Sequence, residues 1–315
     1  MLSVIVVDYN SIEKTLKYIR DISKKLIVDG DIHYIIVDNH SDVENLCENH
    51  KYSHCFSGKE KLTHKKSDEF EGKRVSRYSF GGKSLTYISA GENLGYAKGN
   101  NLGMRLSEKL FGDEYYLVSN NDIEISDTFD FGRIKGIFDR NTAIAVIGPK
   151  IVGLDGEVQS PNRKPTAFGN LVMTYLSMAT HDKIFKWNDV DYTDESKICY
   201  RVMGSFMLIR ASAMSEVGMF DEKTFMFAEE MILSERLLRC GYLTYFYNGL
   251  SVIHAHGESV DKLEDRSEPV RWAHESLSYY FKEYRKTSEI IIRFGRVVCG
   301  LYIKLYKLKK KIASR

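Results

Sequence analysis

Three short apolar runs, each closed by acidic or amide residues, constrain this chain more than any other feature. Leu2 to Val7 ends in Asp8-Tyr9-Asn10. Ile32 to Val37 ends in Asp38-Asn39-His40-Ser41-Asp42. Tyr115 to Val118 ends in Ser119-Asn120-Asn121-Asp122. Short continuous runs rich in Val and Ile read as strands buried on both faces, the condition of a parallel sheet. Between the first two runs, roughly Ile12 to Leu26 carries Leu16, Ile19 and Ile22 on one helical face, with Ser11 placed to cap it. Strand, helix, strand in that order predicts a doubly wound, mostly parallel α/β sheet. Such sheets bind ligands beyond the carboxyl ends of their strands. Asp8, Asp38, Asn120 and Asp122 should therefore meet on one rim.

The pattern continues downstream. Leu85 to Ser89 reads as a strand, and Gly91 to Asn101 leads into a helix reaching about Leu110. Ala143 to Gly148 and Cys199 to Ile209 read as strands, and Ala211 to Val217 as a short helix. Ala228 to Cys240 is a helix stopped by Gly241, followed by strands at Tyr242 to Tyr247 and Ser251 to His254. Residues 51–84 break the pattern. They are Lys-rich and short of aliphatic residues, which predicts a solvated basic insertion or a flap beside an anionic ligand. The expected organisation is a catalytic domain over 1–260 and a helical, basic, amphipathic extension over 261–315.

The 315 residues are 43% apolar and carry a formal net charge of +2. Disorder is excluded, and the charge gives no argument for nucleic acid. The aromatic spacing matches no RNA or DNA module, so nucleic acid is not expected as a partner. Five scattered Cys form no zinc or disulfide pattern, which suits a reducing compartment. Met1 to Val7 lacks a basic leader and is too short to be read as a secretory signal. No apolar run is long enough to span a bilayer. The expected location is cytoplasmic.

A hard cation such as Mn²⁺ or Mg²⁺ takes oxygen ligands. One or two protein carboxylates hold it when substrate phosphates complete its shell. Asp122, with Asn120 beside it, offers such an anchor, although an Asx-rich turn also forms without any metal. The Glu229-Glu230 pair opens a helix, where the macrodipole alone favours acids. No GxxxxGK[ST] and no GxGxxG after the first strand are present, which excludes a P-loop and a dinucleotide site.

Taken in order, these segments resemble a family 2 glycosyltransferase. They are Ser3 to Asn10, Val37 to Asp42, Asn93-Leu94-Gly95-Tyr96-Ala97-Lys98-Gly99-Asn100-Asn101 and Asn120-Asn121-Asp122. Gly218-Met219-Phe220-Asp221-Glu222, Phe225 to Glu230, Arg236 to Tyr242 and His254 to Ser259 extend the match. The rhamnosyltransferase-like branch is the nearest in flavour, and the likeness covers about residues 2–260. It implies a GT-A fold, a Rossmann-like sheet with C-terminal helices, and inverting transfer from a nucleoside-diphosphate sugar such as dTDP-rhamnose or a UDP-hexose. The acceptor would be a hydroxyl of a glycan or a lipid-linked carrier in bacterial surface polysaccharide synthesis. The family's metal motif falls on Asn120-x-Asp122, with an amide in place of its first carboxylate. Its metal-ligand His falls on His254, with His256 as the alternative. Its general base falls on Glu230, a Glu where the family has Asp, and Glu229 stays open. Asp38 is implied as the nucleoside contact. Tyr9 and Asn10 would line the base, and Asn93, Gly95, Lys98 and Gly99 would approach the nucleotide. Arg236 could pair with Glu229. The departures at Asn120 and Glu230 also suit a catalytically weak sugar-nucleotide-binding subunit of a glycan-assembly complex.

The C-terminal stretch 285–315 holds ten Lys and Arg against one acid, Glu289, and Ile290, Phe294, Val297, Leu301, Leu305 and Leu308 recur at helical spacing. An interfacial helix on the inner face of the cell membrane has this composition. A helix packed on the catalytic domain, or on a second copy in a homodimer, is the other reading.

Overall fold

The computed structural model describes residues 1–41, 46, 52, 54–56, 58–180, 186–255 and 267–313. Asp42 and His256, both weighed above, lie outside the described residues. The parallel centre forms as the patterning requires. β1 (Leu2–Asp8) pairs with β3 (Ile32–Asp38) on one side and with β7 (Tyr115–Ser119) on the other, and β6 (Lys83–Ser89) continues beyond β3. The register aligns Asp8 with Asp38, so the two carboxylates end their strands at one level. The helix α1 (Ile12–Lys25) buries Leu16, Ile19 and Ile22 against one face. The helix α2 (Gly95–Leu110) buries Leu102 and Leu106 on the opposite face with Ile5, Ile35 and Val37. The chain moves outward from β1 to β3 and β6, then returns through α2 to β7 on β1's other side. This reversal between β1 and β7 is the place where doubly wound sheets leave a crevice.

Further strands, antiparallel to their neighbours except for the parallel pair β10 and β14, complete a 12-stranded sheet in the order β12-β14-β10-β13-β7-β1-β3-β6-β5-β4. Here β4 is Thr63–Phe70, β5 Lys73–Phe80, β10 Ile144–Gly153, β12 Lys197–Cys199, β13 Phe206–Arg210 and β14 Leu243–His254. Two short strands lie off this path, β8 (Ile123–Ile125) on β14 and β11 (Val158–Ser160) on β10. A further pair, β2 (Leu26–Ile27) and β9 (Phe129–Asp130), stands apart.

Four sequence expectations change. The basic insertion contains a hairpin: β4 and β5 turn at Glu71-Gly72, both at positive φ, and extend the sheet edge from β6. Its apolar residues are few but aimed, with Val75, Tyr78 and Phe80 buried while β4 stays exposed. Ser11 occupies the N-cap position of α1 without capping it, because its hydroxyl donates to Asp8 Oδ1 at 2.8 Å. The single strand expected over Cys199 to Ile209 is two, β12 and β13, separated at Gly204. A Cβ there would lie 2.6 Å from the Tyr96 hydroxyl and 2.7 Å from Glu230 Oε1. Tyr242–Tyr247 and Ser251–His254 join into one strand, β14, whose register shifts where Asn248 to Leu250 bulge out.

Three further helices are α3 (Phe131–Arg140), α4 (Thr174–Ala179) and α5 (Ala211–Glu216). The helix α6 (Glu229–Arg239) carries the acid pair. The C-terminal region is helical, with α7 (Ser267–Tyr279), a π turn over Tyr280–Tyr284 and α8 (Glu289–Ala313). One face of α8 packs down. Ile292 and Cys299 are buried, and Gly295 lies where a Cβ would come 2.7 Å from Leu171 Cβ. The other face carries Ile290, Phe294, Val297, Leu301, Leu305, Leu308 and Ile312, each at least 51% exposed. Among the described residues, no helix is long and apolar enough to cross a membrane.

Candidate active site

The strand ends meet on the rim as the sequence implies, but they do different work. Asp8 is fully buried and tied into the protein. Its carboxylate accepts from Ser11 Oγ, from Thr15 Oγ1 and, at 2.8 Å, from Ser41 Oγ. Asn121 Nδ2 reaches Ser11 and Thr15 in the same cluster, so this amide faces inward and joins the turn after β7 to the start of α1. Asp8 is a hub for three loops.

Asp38 is also buried. Ser41 N donates to Oδ1 at 2.9 Å and the Tyr87 hydroxyl donates to Oδ2. Burial holds its carboxyl above the usual range, and the nearby Asp8 charge adds to this, against the hydrogen bonds from Ser41 and Tyr87. Asn10 and His40, each two residues past its strand-end Asp, both adopt the left-handed region. Asn10 N donates to Ser41 Oγ at 2.9 Å, which binds the two turns together. Tyr9 and Asn10 are exposed on this rim.

The turn from Asn93 to Gly95 starts α2. Asn93 Oδ1 accepts Gly95 N at 3.0 Å. Gly95 sits at φ +71°, and a Cβ would lie 2.2 Å from Phe225 O, so this position requires glycine. Gly99 faces inward instead of toward a ligand, because a Cβ there would meet Val7 at 3.1 Å. It lets α2 approach β1. Lys98 is exposed on the outer face of α2. Asn39, which the sequence reading did not single out, is buried between these parts. Its Nδ2 donates to Gly95 O at 3.1 Å, while its Oδ1 is buried without a hydrogen-bond partner.

Asp122 and His254 are far apart in sequence and adjacent in space. β8 runs antiparallel to β14 with Ile123 opposite His254, and Ala255 N donates to Asp122 O at 2.9 Å. His254 Nε2 stands 3.3 Å from Asp122 Oδ1, a buried oxygen that receives no hydrogen bond. Two ligands at right angles on one small octahedral cation, each bonded at about 2.0–2.1 Å, sit roughly 3 Å apart. The corner therefore fits Mn²⁺ or Mg²⁺. Gln159 Oε1 lies 3.3 Å from His254 Nδ1 and fixes the ring, as a partner behind a ligating His does. No group of three or more His, Cys, Asp or Glu suited to a metal occurs among the described residues. Substrate oxygens would have to complete the shell. Asn120 is pinned through its backbone, its N–H donating to Ser205 O at 2.9 Å.

The acid pair meets the same Gly204-Ser205 segment. Gly204 N donates to Glu230 Oε1 at 2.8 Å, and the Tyr96 hydroxyl donates to Gly204 O at 2.7 Å. One segment thus touches both the Asn120 turn and the carboxylate of Glu230. Glu229 is buried, and its Oε1 has no hydrogen-bond partner. Burial, and then the charge of Glu230, hold the Glu229 carboxyl well above the ordinary carboxylate range. Arg236 does not pair with Glu229. Its guanidinium lies 3.2 Å from Asp221 Oδ2 and donates to the carbonyls of Gly218 and Met219, because α6 directs it toward the preceding loop.

A pH effect follows from Glu229. A carboxyl whose pKa is raised by folding keeps its proton in the native state while the unfolded chain has lost it. Stability then falls as pH rises from the unfolded value of about 4.5 through the raised native value. Glu229→Gln should remove that slope and raise Tm near neutral pH, by about 2–4 °C for each kcal/mol recovered. Melting curves of both proteins across this range would show it. Parallel curves would mean that Glu229 folds without its proton.

No family model matches the chain. The comparisons with single proteins do find relatives, and they are glycosyltransferases. A low-salt glycan biosynthesis hexosyltransferase of Haloferax volcanii is 31% identical over 156 residues, 49% of this chain and 47% of that protein. The chain thus aligns with about half the length of this relative. An N-acetylglucosaminyl-diphospho-decaprenol L-rhamnosyltransferase of Mycobacterium tuberculosis is 26% identical over 66% of this chain and 68% of its own. Among solved structures, GalNAc-T7 with UDP, GalNAc and Mn²⁺ superposes with a TM-score of 0.56 at 12% identity, over 90% of this chain and 49% of that one. The mannosyltransferase PcManGT of Pyrobaculum calidifontis, with GDP-Man and Mn²⁺, gives 0.53 at 10% identity, over 96% and 73%. The fold is GT-A.

Proposed function

We propose that the chain is a metal-dependent, inverting glycosyltransferase of the family 2 type. It would move a sugar from a nucleoside-diphosphate donor to a hydroxyl of a glycan or lipid-linked acceptor in surface polysaccharide synthesis. One observation carries the reading. The Gly204-Ser205 segment binds both the Asn120-Asp122 turn, through Ser205 O, and the Glu230 carboxylate, through Gly204 N. Inverting transfer needs a cation site and a general base around one reacting carbon, and this segment brings the two candidates into one neighbourhood. A bound Mn²⁺ or Mg²⁺ supplies charge to offset what develops on the departing diphosphate. Asp122 and His254 would hold that ion. Glu230, positioned by Gly204 N, would take the acceptor proton. Glu229, enclosed and proton-retaining, sets the charge of the pair. The curated relatives, a hexosyltransferase and a rhamnosyltransferase, support the reaction class, and dTDP-rhamnose or a UDP-hexose is the donor to try first. The test is a radiolabel assay of these donors with Mn²⁺ and lipid-linked saccharides. Chelator-sensitive transfer supports the reading. Donor binding without turnover on any acceptor favours the second reading, a sugar-nucleotide-binding subunit, which the amide at Asn120 suggests.

Asp38 is proposed as the nucleoside contact, through whatever acceptor capacity Ser41 and Tyr87 leave. Asp38→Ala should weaken nucleoside-diphosphate binding even in chelator. It should also cost about 1–3 kcal/mol of stability, since the buried partners Tyr87 OH and Ser41 N lose their acceptor. Calorimetry in chelator checks the first effect, and unchanged affinity would remove Asp38 from the nucleotide site.

The acceptor class suggests where the protein works. The exposed stripe of α8 repeats every eleven residues, with Ile290, Leu301 and Ile312, then Phe294 and Leu305, then Val297 and Leu308. This stripe stays on one side of a nearly straight helix, as a flat surface demands. Lys304, Lys307, Lys309, Lys310 and Lys311 accompany it, which favours an anionic bilayer. A cytoplasmic protein attached to the inner face of the cell membrane is the corresponding location. Leu301→Glu with Leu305→Glu should abolish co-sedimentation with phosphatidylglycerol vesicles and leave Tm unchanged. Equal sedimentation of the variant would overturn the membrane role.

A further inference from the structure

The segment just before the acid pair is strained. Phe227 and Ala228 are consecutive non-glycine residues at φ +72° and +65°, in the left-handed region, and Glu229 and Glu230 follow at once. Side chains rarely adopt this backbone, and it persists only where the surroundings over-determine it. The surroundings come largely from α7. Ser276 Oγ, buried, donates to Met226 O at 2.7 Å. The Trp272 ring meets Phe225 edge to face at 5.1 Å between centroids. On the opposite side Tyr96 N donates to Phe225 O at 3.1 Å, an approach that Gly95 permits. Ala228 is packed in a cluster with Leu171, Val172, Tyr280 and Phe281. Upstream, Asp221 accepts from the hydroxyls of Tyr279 and Tyr284 at 2.8 and 2.6 Å. The C-terminal helices therefore grip both ends of the segment that delivers the two carboxylates.

We propose that Ser276, backed by Trp272, is a positioning residue that holds the Phe227-Ala228 turn in its left-handed form and so aims Glu230. The proposal rests on the transferase reading for its kinetic consequence, and its structural half can be read without it. Without the Ser276 hydroxyl the strained turn relaxes, Glu230 loses its fixed place against Gly204 N, and proton removal slows. Asp38 and Asp122 lie in other turns of the rim, so donor affinity should hold.

The experiment compares wild type with Ser276→Ala, Ser276→Thr and the double variant Ser276→Ala with Ala228→Gly. Ser276→Ala should lower kcat roughly tenfold, the effect of about 1.4 kcal/mol on the barrier, with donor KM within about twofold. Ser276→Thr keeps the hydroxyl and should restore most of kcat. The double variant should also recover kcat, because glycine takes the left-handed conformation without strain. A merely structural loss would not be rescued by the smaller residue. Amide hydrogen exchange of residues 225–230 is read alongside and should accelerate in Ser276→Ala alone. If wild type shows no transfer with any donor, the transferase reading fails while the exchange result still decides the clamp. Unchanged exchange with unchanged kcat in Ser276→Ala, or a fall in kcat that neither rescue repairs, would overturn the proposal.

Discussion

Glu230→Gln should leave donor binding close to wild type and lower turnover about 10²–10⁴-fold, the range for losing a general base. The substitution is nearly isosteric. The amide oxygen can still accept from Gly204 N, which Glu230 Oε1 now does at 2.8 Å, so the Gly204-Ser205 segment should keep its place. Only the ability to take a proton is lost. Glu229 is the poorer candidate on physical grounds. It is buried, and burial, then the charge of Glu230, hold its carboxyl well above the usual carboxylate range, so it keeps a proton that a general base must be free to accept. Single-turnover rates with matched donor affinities are the measurement. If Glu229→Gln produces the larger fall, the roles within the pair are reversed.

Asp122→Ala should remove the metal-dependent part of nucleoside-diphosphate binding, a loss of about 100-fold or more. Changing a partner behind a metal ligand already costs 10–100-fold, and a direct ligand costs no less. Asp122 Oδ1 is buried without a hydrogen bond and faces His254 Nε2 at 3.3 Å. Its removal breaks no internal hydrogen bond of that oxygen, so the variant should fold. Affinity in chelator should match wild type if Asp38, the proposed nucleoside contact, binds independently of the metal. Titration with and without Mn²⁺ separates the two contributions. Undiminished Mn²⁺-dependent affinity in Asp122→Ala would sink the metal assignment.

The strands that carry Asp8, Asp38 and Asp122 were legible because burial on both faces forces a continuous apolar run, and the first polar residue after it marks the strand end. The α8 stripe was legible for the same reason, since one helical face is set by local spacing. The division of labour among the carboxylates was not legible. Nothing local distinguishes Asp8, which binds four side chains of its own protein, from Asp122, which keeps a buried oxygen without a hydrogen bond beside His254. The hairpin β4–β5 was hidden because an edge needs few apolar residues, and a sequence dominated by Lys gives no period to read.

By itself the sequence determined the α/β class, the order of the central elements, the rim on which the strand-end acids gather and the residue types offered there. Those properties follow from nearest-neighbour chemistry: apolar periodicity, turn residues and helix ends. Only the tertiary structure decided which of these residues meet. The β8–β14 pairing sets Asp122 beside His254, and the break at Gly204 lets one segment touch both the Asn120 turn and the acid pair. The contacts of α7 with Phe225 and Met226 hold a turn that its own sequence does not favour. Such contacts join positions scores of residues apart. Their energy depends on burial and on distances that exist only once the whole sheet has closed.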